Sequence, residues 1–172
     1  ALAAGCTVVL KPAEQTPLTA LMLAELTQEA GFPPGVFNVV TGDGPGTGAP
    51  LVSHPLVNKV SFTGSTEVGK LIGHACGDHM TRFTLELGGK SPVIVLDDCD
   101  PATAAAGAAN AIFFNHGQVC CAGSRLYVQK KMFDRVVADV ADHARQLTLG
   151  HGLDPAAARG AFRPPARRVR VA

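Results

Sequence analysis

Residues 7–40 read TVVLKPAEQTPLTALMLAELTQEAGFPPGVFNVV, and this stretch decides the fold. Thr7 to Leu10 is a short, β-branched, unbroken apolar run, the character of a strand covered on both faces in a parallel sheet. Lys11-Pro12 ends it. Thr16-Pro17 reads as a helix N-cap followed by proline at the first helical position, and Gly31 as the C-terminal stop. Between them Leu18, Leu21 and Met22 fall on one helical face with Leu23, Leu26 and Ala30 alongside. Val36 to Val40 is the next apolar run. Strand, helix and strand make a βαβ unit, parallel and right-handed.

The alternation continues outward. Thr41 to Gly44 is a turn, residues 46–54 form a short helix, and Lys59 to Phe62 a third strand. Gly64-Ser65-Thr66-Glu67-Val68-Gly69 opens a helix running to about Cys76, and Arg82 to Leu87 alternates as a strand does. The class is therefore α/β: a partial, doubly wound (Rossmann-like) parallel sheet, whose ligands bind beyond the carboxyl ends of the strands. Gly88-Gly89 interrupts the pattern. Strands at 91–96 and 126–129 and helices at 101–114 and 132–147 then begin a second α/β unit. The expected organisation is 1–87, 88–150 and an irregular basic tail, 151–172.

Composition narrows the function. With 47% hydrophobic and 17% charged residues, the 172-residue chain is globular with an aliphatic core. Arg159, Arg163, Arg167, Arg168 and Arg170 crowd the last stretch. Without them 10 basic groups face 14 acidic ones, a net −4, which offers no nucleic-acid footprint. No run reaches membrane-spanning length and no secretory signal is evident, so no membrane partner is expected. Five scattered cysteines without CxxC spacing argue against disulfides or a metal site and for a reducing, cytoplasmic setting.

The chemistry concentrates in Phe113 to Arg125, FFNHGQVCCAGSR. Two cysteines lie in a small-residue loop between a helix and a strand. A catalytic thiol needs surroundings that favour its anion and admit substrate, and Gly117 and Gly123 let backbone N–H groups approach the sulfur or an adjacent oxyanion. A pair of small buried hydrophobes is the competing reading. Gly64 to Gly69 similarly offers a helix N-terminus to a phosphate, a weak pattern alone. Glu86 sits in an otherwise apolar strand, as either a general base with a raised pKa or an outward-facing edge residue. Lys11 and Glu14 lie just beyond the first strand, where a carboxylate could accept two vicinal ribose hydroxyls.

FFNHGQVCCAGSR together with LELGGKSP at Leu85 to Pro92 closely resembles the signatures of the aldehyde dehydrogenase superfamily, and the resemblance runs from Ala1 to about Leu149. It implies oxidation of an aldehyde to a carboxylic acid through a cysteine thiohemiacetal and thioester. Cys120 is the implied nucleophile, with Cys121 as a neighbour, and Glu86 the base that activates water. Lys11 and Glu14 are implied to hold the adenosine ribose, Gly64, Ser65 and Gly69 the pyrophosphate, Gly42 and Val68 the adenine, and Leu87 the nicotinamide amide. A carboxylate at Glu14 repels a 2′-phosphate, so NAD is expected over NADP, with NADP possible. A homo-oligomer is expected for the full-length subunit, of which this chain resembles an internal third. The isolated chain is expected to be inactive.

Two rival readings stay open: a catalytically dead remnant of the family, and a hydrolase built on Cys120 and His116. Asp78 to Arg82 and Gly5-Cys6 resemble enzymes acting on phenylacetaldehyde. From about Gly160 the family pattern gives way to AFRPPARRVRVA, the composition a shifted reading frame in a GC-rich gene produces.

Overall fold

In a computed structural model, the described residues are 1–151, 153, 157, 159 and 160. The tail from 161 to 172, including the stretch assigned to a shifted frame, lies outside them. The chain divides into two compact units, Ala1–Glu86 and Leu87–Ala172.

In the first unit β1 (Val8–Leu10) runs parallel to β2 (Phe37–Val39), with Val9 opposite Asn38, and α1 (Leu18–Glu29) connects them. Bonds from Val8 N–H to Val36 O (2.9 Å) and from Val40 N–H to Leu10 O (3.0 Å) extend the ladder at both ends. The helix start differs from expectation. The N-cap is Pro17, not Thr16, and no side chain caps it. Pro17 O accepts from both Ala20 N–H and Leu21 N–H, while Thr16 N–H is spent in a turn on Ala13 O.

The stop at Gly31 is a full Schellman arrangement. Gly31 sits at φ +79, its N–H donates to Gln28 O (2.9 Å), and Phe32 N–H reaches back to Thr27 O (3.1 Å). A Cβ there would meet nothing within 4 Å, so only the backbone conformation resists a side chain. Gly31→Ala should destabilise Ala1–Glu86 by about 1 kcal/mol, the cost of a left-handed non-glycine residue. An unchanged urea midpoint would refute this.

The apolar face predicted for α1 exists but is not buried. No residue of α1 is buried, and Leu18 and Met22 are 76% and 60% exposed. The apolar face of this helix is an exposed stripe.

Asp43 caps the next turn, its Oδ1 accepting from Gly46 N–H, and α2 (Ala49–Val52) follows. β3 (Lys59–Gly64), α3 (Thr66–Asp78) and β4 (Arg82–Leu87) complete the unit. α3 buries Gly69, Ile72 and Cys76 and packs on β3 and α2. The strands pair two by two, β1 with β2 and β3 with β4, so the α/β alternation appears as short ladders and not as one continuous sheet.

In the second unit β5 (Pro92–Val95) runs parallel to β6 (Arg125–Val128). α4 (Pro101–Phe113) lies between them in sequence and packs against α5 (Phe133–Arg145). Asp100 Oδ2 caps α4, accepting from the Thr103 N–H and hydroxyl, both at 2.8 Å. Val95, Ala105 and Val136 form the core, with Val93, Leu126, Val128, Met132 and Val140 against it. Alanines 105, 108 and 109 are buried in α4, where a short side chain permits close approach. A two-residue ladder joins β7 (Leu149–Gly150) to β8 (Arg159–Gly160). Among the described residues no helix is long and apolar enough to cross a membrane.

Candidate active-site loop and cofactor cleft

The cysteine loop begins where α4 fails. Phe114 leaves the helical region, and Asn115, His116 and Gly117 follow at φ 50, 60 and 69. Three consecutive left-handed residues turn the chain sharply. Asparagine and glycine tolerate that conformation, whereas histidine does so at some cost. A tight turn closes next, with Ala122 N–H donating to Val119 O at 3.0 Å. Cys120 and Cys121 occupy its two central positions, and both thiols are exposed free cysteines. They are not the buried small hydrophobes of the competing reading. Among the described residues no acceptor pairs with Cys120 N–H, which leaves it available to an oxyanion beside the sulfur.

Gly123 does not do what the sequence suggested. Its N–H is committed to Ala111 O at 3.0 Å, so it cannot serve the sulfur. A Cβ there would lie 2.4 Å from Val93 Cγ2 and 3.0 Å from Ala111 Cβ. Glycine is needed for packing at that point. His116 lies within the left-handed run and is half-buried.

Glu86 ends the first unit on β4 and is exposed. Leu87, next along the strand, is half-buried.

At the carboxyl ends of β1 and β2 a cleft of about 250 Å³ is lined by Pro12, Ala13, Glu14, Pro17, Thr41, Gly42 and Asp43. The structure brings Lys11, Glu14 and Gly42 together here. Lys11 Nζ donates to Pro12 O (2.7 Å) and to Gly42 O (3.0 Å), and lies 3.6 Å from Glu14 Oε1. The ammonium thus pins the end of β1 to the end of β2. The Glu14 carboxyl is held below its ordinary range, first by its own backbone N–H and then by the Lys11 charge. It is an anionic acceptor at neutral pH. Gly42 sits at φ +142, where a Cβ would strike Thr47 Oγ1 at 2.0 Å, so glycine is required at this wall of the cleft.

Gly64, Ser65, Val68 and Gly69 group at the start of α3. Ser65 caps the helix, its Oγ accepting from Val68 N–H at 3.2 Å, which leaves the hydroxyl hydrogen free to donate. Gly69 is buried, and its N–H already donates to Ser65 O (2.9 Å). That amide is therefore not offered to a phosphate, and Gly64 and Ser65 carry the exposed part of this turn. A Cβ on Gly64 would strike the Phe62 ring at 2.4 Å.

Sequence reasoning missed the segment after Gly88. Arg125 Nε donates to Lys90 O (2.8 Å), Arg125 N–H to Ser91 O (3.3 Å), and a Cβ on Gly89 would lie 3.0 Å from Cys120 O. The doubled glycine was the available signal. Among the described residues, no three His, Cys, Asp or Glu side chains cluster as metal ligands.

Comparison with known proteins identifies the family. The aldehyde dehydrogenase family profile matches residues 1–172. Phenylacetaldehyde dehydrogenase of Pseudomonas fluorescens is 63% identical over 154 residues, 90% of this chain and 31% of that protein. The NAD+ complex of an aldehyde dehydrogenase from Bacillus cereus superposes with a TM-score of 0.87 at 50% identity, covering 91% of this chain and 32% of that one. An NADP-dependent enzyme from E. coli gives 0.86 at 51%, covering 90% and 32%. The chain thus spans about a third of the length of the relatives it matches. With its profile matched along the chain and a relative 63% identical, the chain belongs to the aldehyde dehydrogenase family.

Proposed function

We propose that this chain carries the nucleophile, the water-activating base and part of the dinucleotide site of an NAD-dependent aldehyde dehydrogenase acting on phenylacetaldehyde and related aromatic aldehydes. The observation that carries the reading is an exposed Cys120 on a tight turn after a left-handed run, inside FFNHGQVCCAGSR. Residues 1–87 serve the cofactor and also carry the base Glu86, while 88–150 carry the nucleophile.

Cys120, as thiolate, attacks the aldehyde carbonyl and forms a C–S bond, and the resulting oxyanion is received by the Cys120 N–H. Bound nicotinamide supplies a two-electron acceptor for this adduct. Glu86 takes a proton from the water that attacks the oxidised adduct, a thioester, releasing the carboxylic acid and restoring the thiol. Glu14 accepts the ribose hydroxyls, Lys11 holds the cleft wall, and Gly64 and Ser65 face the pyrophosphate at the start of α3. Gly42 and Val68 flank the adenine, Gly69 closes the first turn of that helix, and Leu87 meets the nicotinamide amide through its backbone. A cleft of about 250 Å³ suits part of a dinucleotide rather than all of it. The setting is cytoplasmic and the complete subunit a homo-oligomer.

The anionic Glu14 favours NAD over NADP. Glu14→Gln should raise the affinity for NADP relative to NAD by roughly tenfold, since like-charge repulsion is removed. The sign of the pH dependence follows from the lowered Glu14 carboxyl. Its contribution is complete above the ordinary carboxylate range and disappears only as pH falls through the depressed folded value. Calorimetric titration with both dinucleotides checks this, and an unchanged ratio in the variant overturns the assignment of Glu14.

The whole reading is tested by alkylating the chain with iodoacetamide, with and without NAD, and assigning each modified cysteine by tandem mass spectrometry. Modification concentrated at Cys120 and altered by NAD supports it. Even labelling of Cys6, Cys99, Cys120 and Cys121, indifferent to NAD, favours the dead remnant.

A further inference from the structure

Gly88-Gly89 interrupts the strand pattern in sequence, yet residues Gly89 to Ser91 form a seam along the cysteine loop. Three consecutive residues take part. Gly89 faces Cys120 O, Lys90 O accepts from Arg125 Nε at 2.8 Å, and Ser91 O accepts from Arg125 N–H at 3.3 Å. Arg125 is further held by its own strand, its guanidinium 5.9 Å from the centre of the Tyr127 ring. The loop is fixed from the other side by Gly123 N–H on Ala111 O. The chain after Cys120 is therefore held at Gly123 and Arg125 and Gly89 lies close against the Cys120 carbonyl, while the thiol stays exposed.

We propose that Gly89 is a positioning residue for Cys120: lacking a side chain, it lets the Cys120 carbonyl close the seam, and the carbonyl's place sets that of the thiol and N–H. The two adjacent glycines are not equivalent. A Cβ on Gly88 meets nothing within 4 Å, whereas one on Gly89 meets a backbone oxygen at 3.0 Å. Neither glycine adopts a left-handed φ, so conformational freedom does not explain the requirement at Gly89. A backbone neighbour cannot rotate away as a flexible side chain does; the loop must move by a few tenths of an ångström. Displacement on that scale weakens a positioned nucleophile by about fourfold, given that a shift of 1 Å costs roughly 10²-fold. This inference rests on the reading of Cys120 as the nucleophile.

The test compares Gly89→Ala, Gly88→Ala and Arg125→Lys in the full chain. Iodoacetamide labelling of Cys120 is measured against Cys99 as internal reference, and backbone amide resonances are followed by NMR in isotope-labelled protein. For Gly89→Ala the expected result is slower labelling of Cys120 relative to Cys99, with resonance shifts centred on Val119 to Ala122. Gly88→Ala should leave both unchanged. A loss of thermal stability alone would not move the resonances of folded protein. If Gly89→Ala fails to fold, Arg125→Lys, which loses the Nε bond to Lys90, reads the same seam and should slow Cys120 in the same sense. The proposal is overturned if Gly89→Ala behaves as Gly88→Ala does, or if, with Gly89→Ala unfolded, Arg125→Lys labels at the parent rate. Even labelling of Cys120 and Cys121 in the parent sinks the nucleophile assignment instead, and the seam is then judged on the resonance shifts.

Discussion

Replacing Cys120 by alanine in an active subunit that carries this chain is expected to remove aldehyde oxidation almost completely, by about 10⁴-fold or more in kcat. Loss of a covalent nucleophile is not compensated by groups that only position or polarise, and knocking out a nucleophile elsewhere costs of this order. The comparison that gives the result meaning is Cys121→Ala. Both cysteines are exposed at the centre of one turn, and both are free. Exposure therefore does not choose between them. The choice rests on the resemblance of FFNHGQVCCAGSR to the family signature, which implies the cysteine two residues after Gly117-Gln118. Cys121→Ala should keep most of the activity, and acylated peptide recovered from quenched turnover should carry its added mass on Cys120. Equal losses in the two variants, or adduct on Cys121, would reverse the assignment.

What the sequence could tell differs from residue to residue, for physical reasons. Periodicity and turn chemistry are local, and the elements they predicted are present. Gly31 ends α1 because the left-handed position after a helix excludes side chains, and Ser65 begins α3 because its hydroxyl caps Val68 N–H. The Thr16 cap failed by one position, since a proline carbonyl can accept the first helical bonds as well as any residue's. The exposed stripe on α1 was illegible because amphipathic spacing states which face is apolar, not what covers it. Gly123 was read as freedom for the cysteine loop and turned out to be a packing contact with Val93 and Ala111. The seam at Gly89 joins residues about thirty positions apart, and no window of local sequence contains both sides. Lys11 and Gly42 are a similar case: the strand ends were legible, but the ammonium linking two carbonyls across the cleft was not.

Glu86→Gln should separate the two halves of the reaction. Glutamine is nearly isosteric but cannot take a proton from water, so acylation of Cys120 proceeds while hydrolysis of the thioester stalls. General-base removal costs about 10²–10⁴-fold in steady-state rate. The distinguishing signature is a burst: one equivalent of reduced cofactor forms rapidly, then little more, while acylated Cys120 accumulates in the mass spectrum. The carboxylate is exposed at the end of β4, where water reaches it freely. A general base must contact the water it activates, and exposure meets that requirement. If the variant shows neither burst nor thioester, Glu86 acts before acylation, and its role shifts from activating water to activating the thiol. If it turns over at the parent rate, another group supplies the base, and the outward-facing edge residue is the correct description of Glu86.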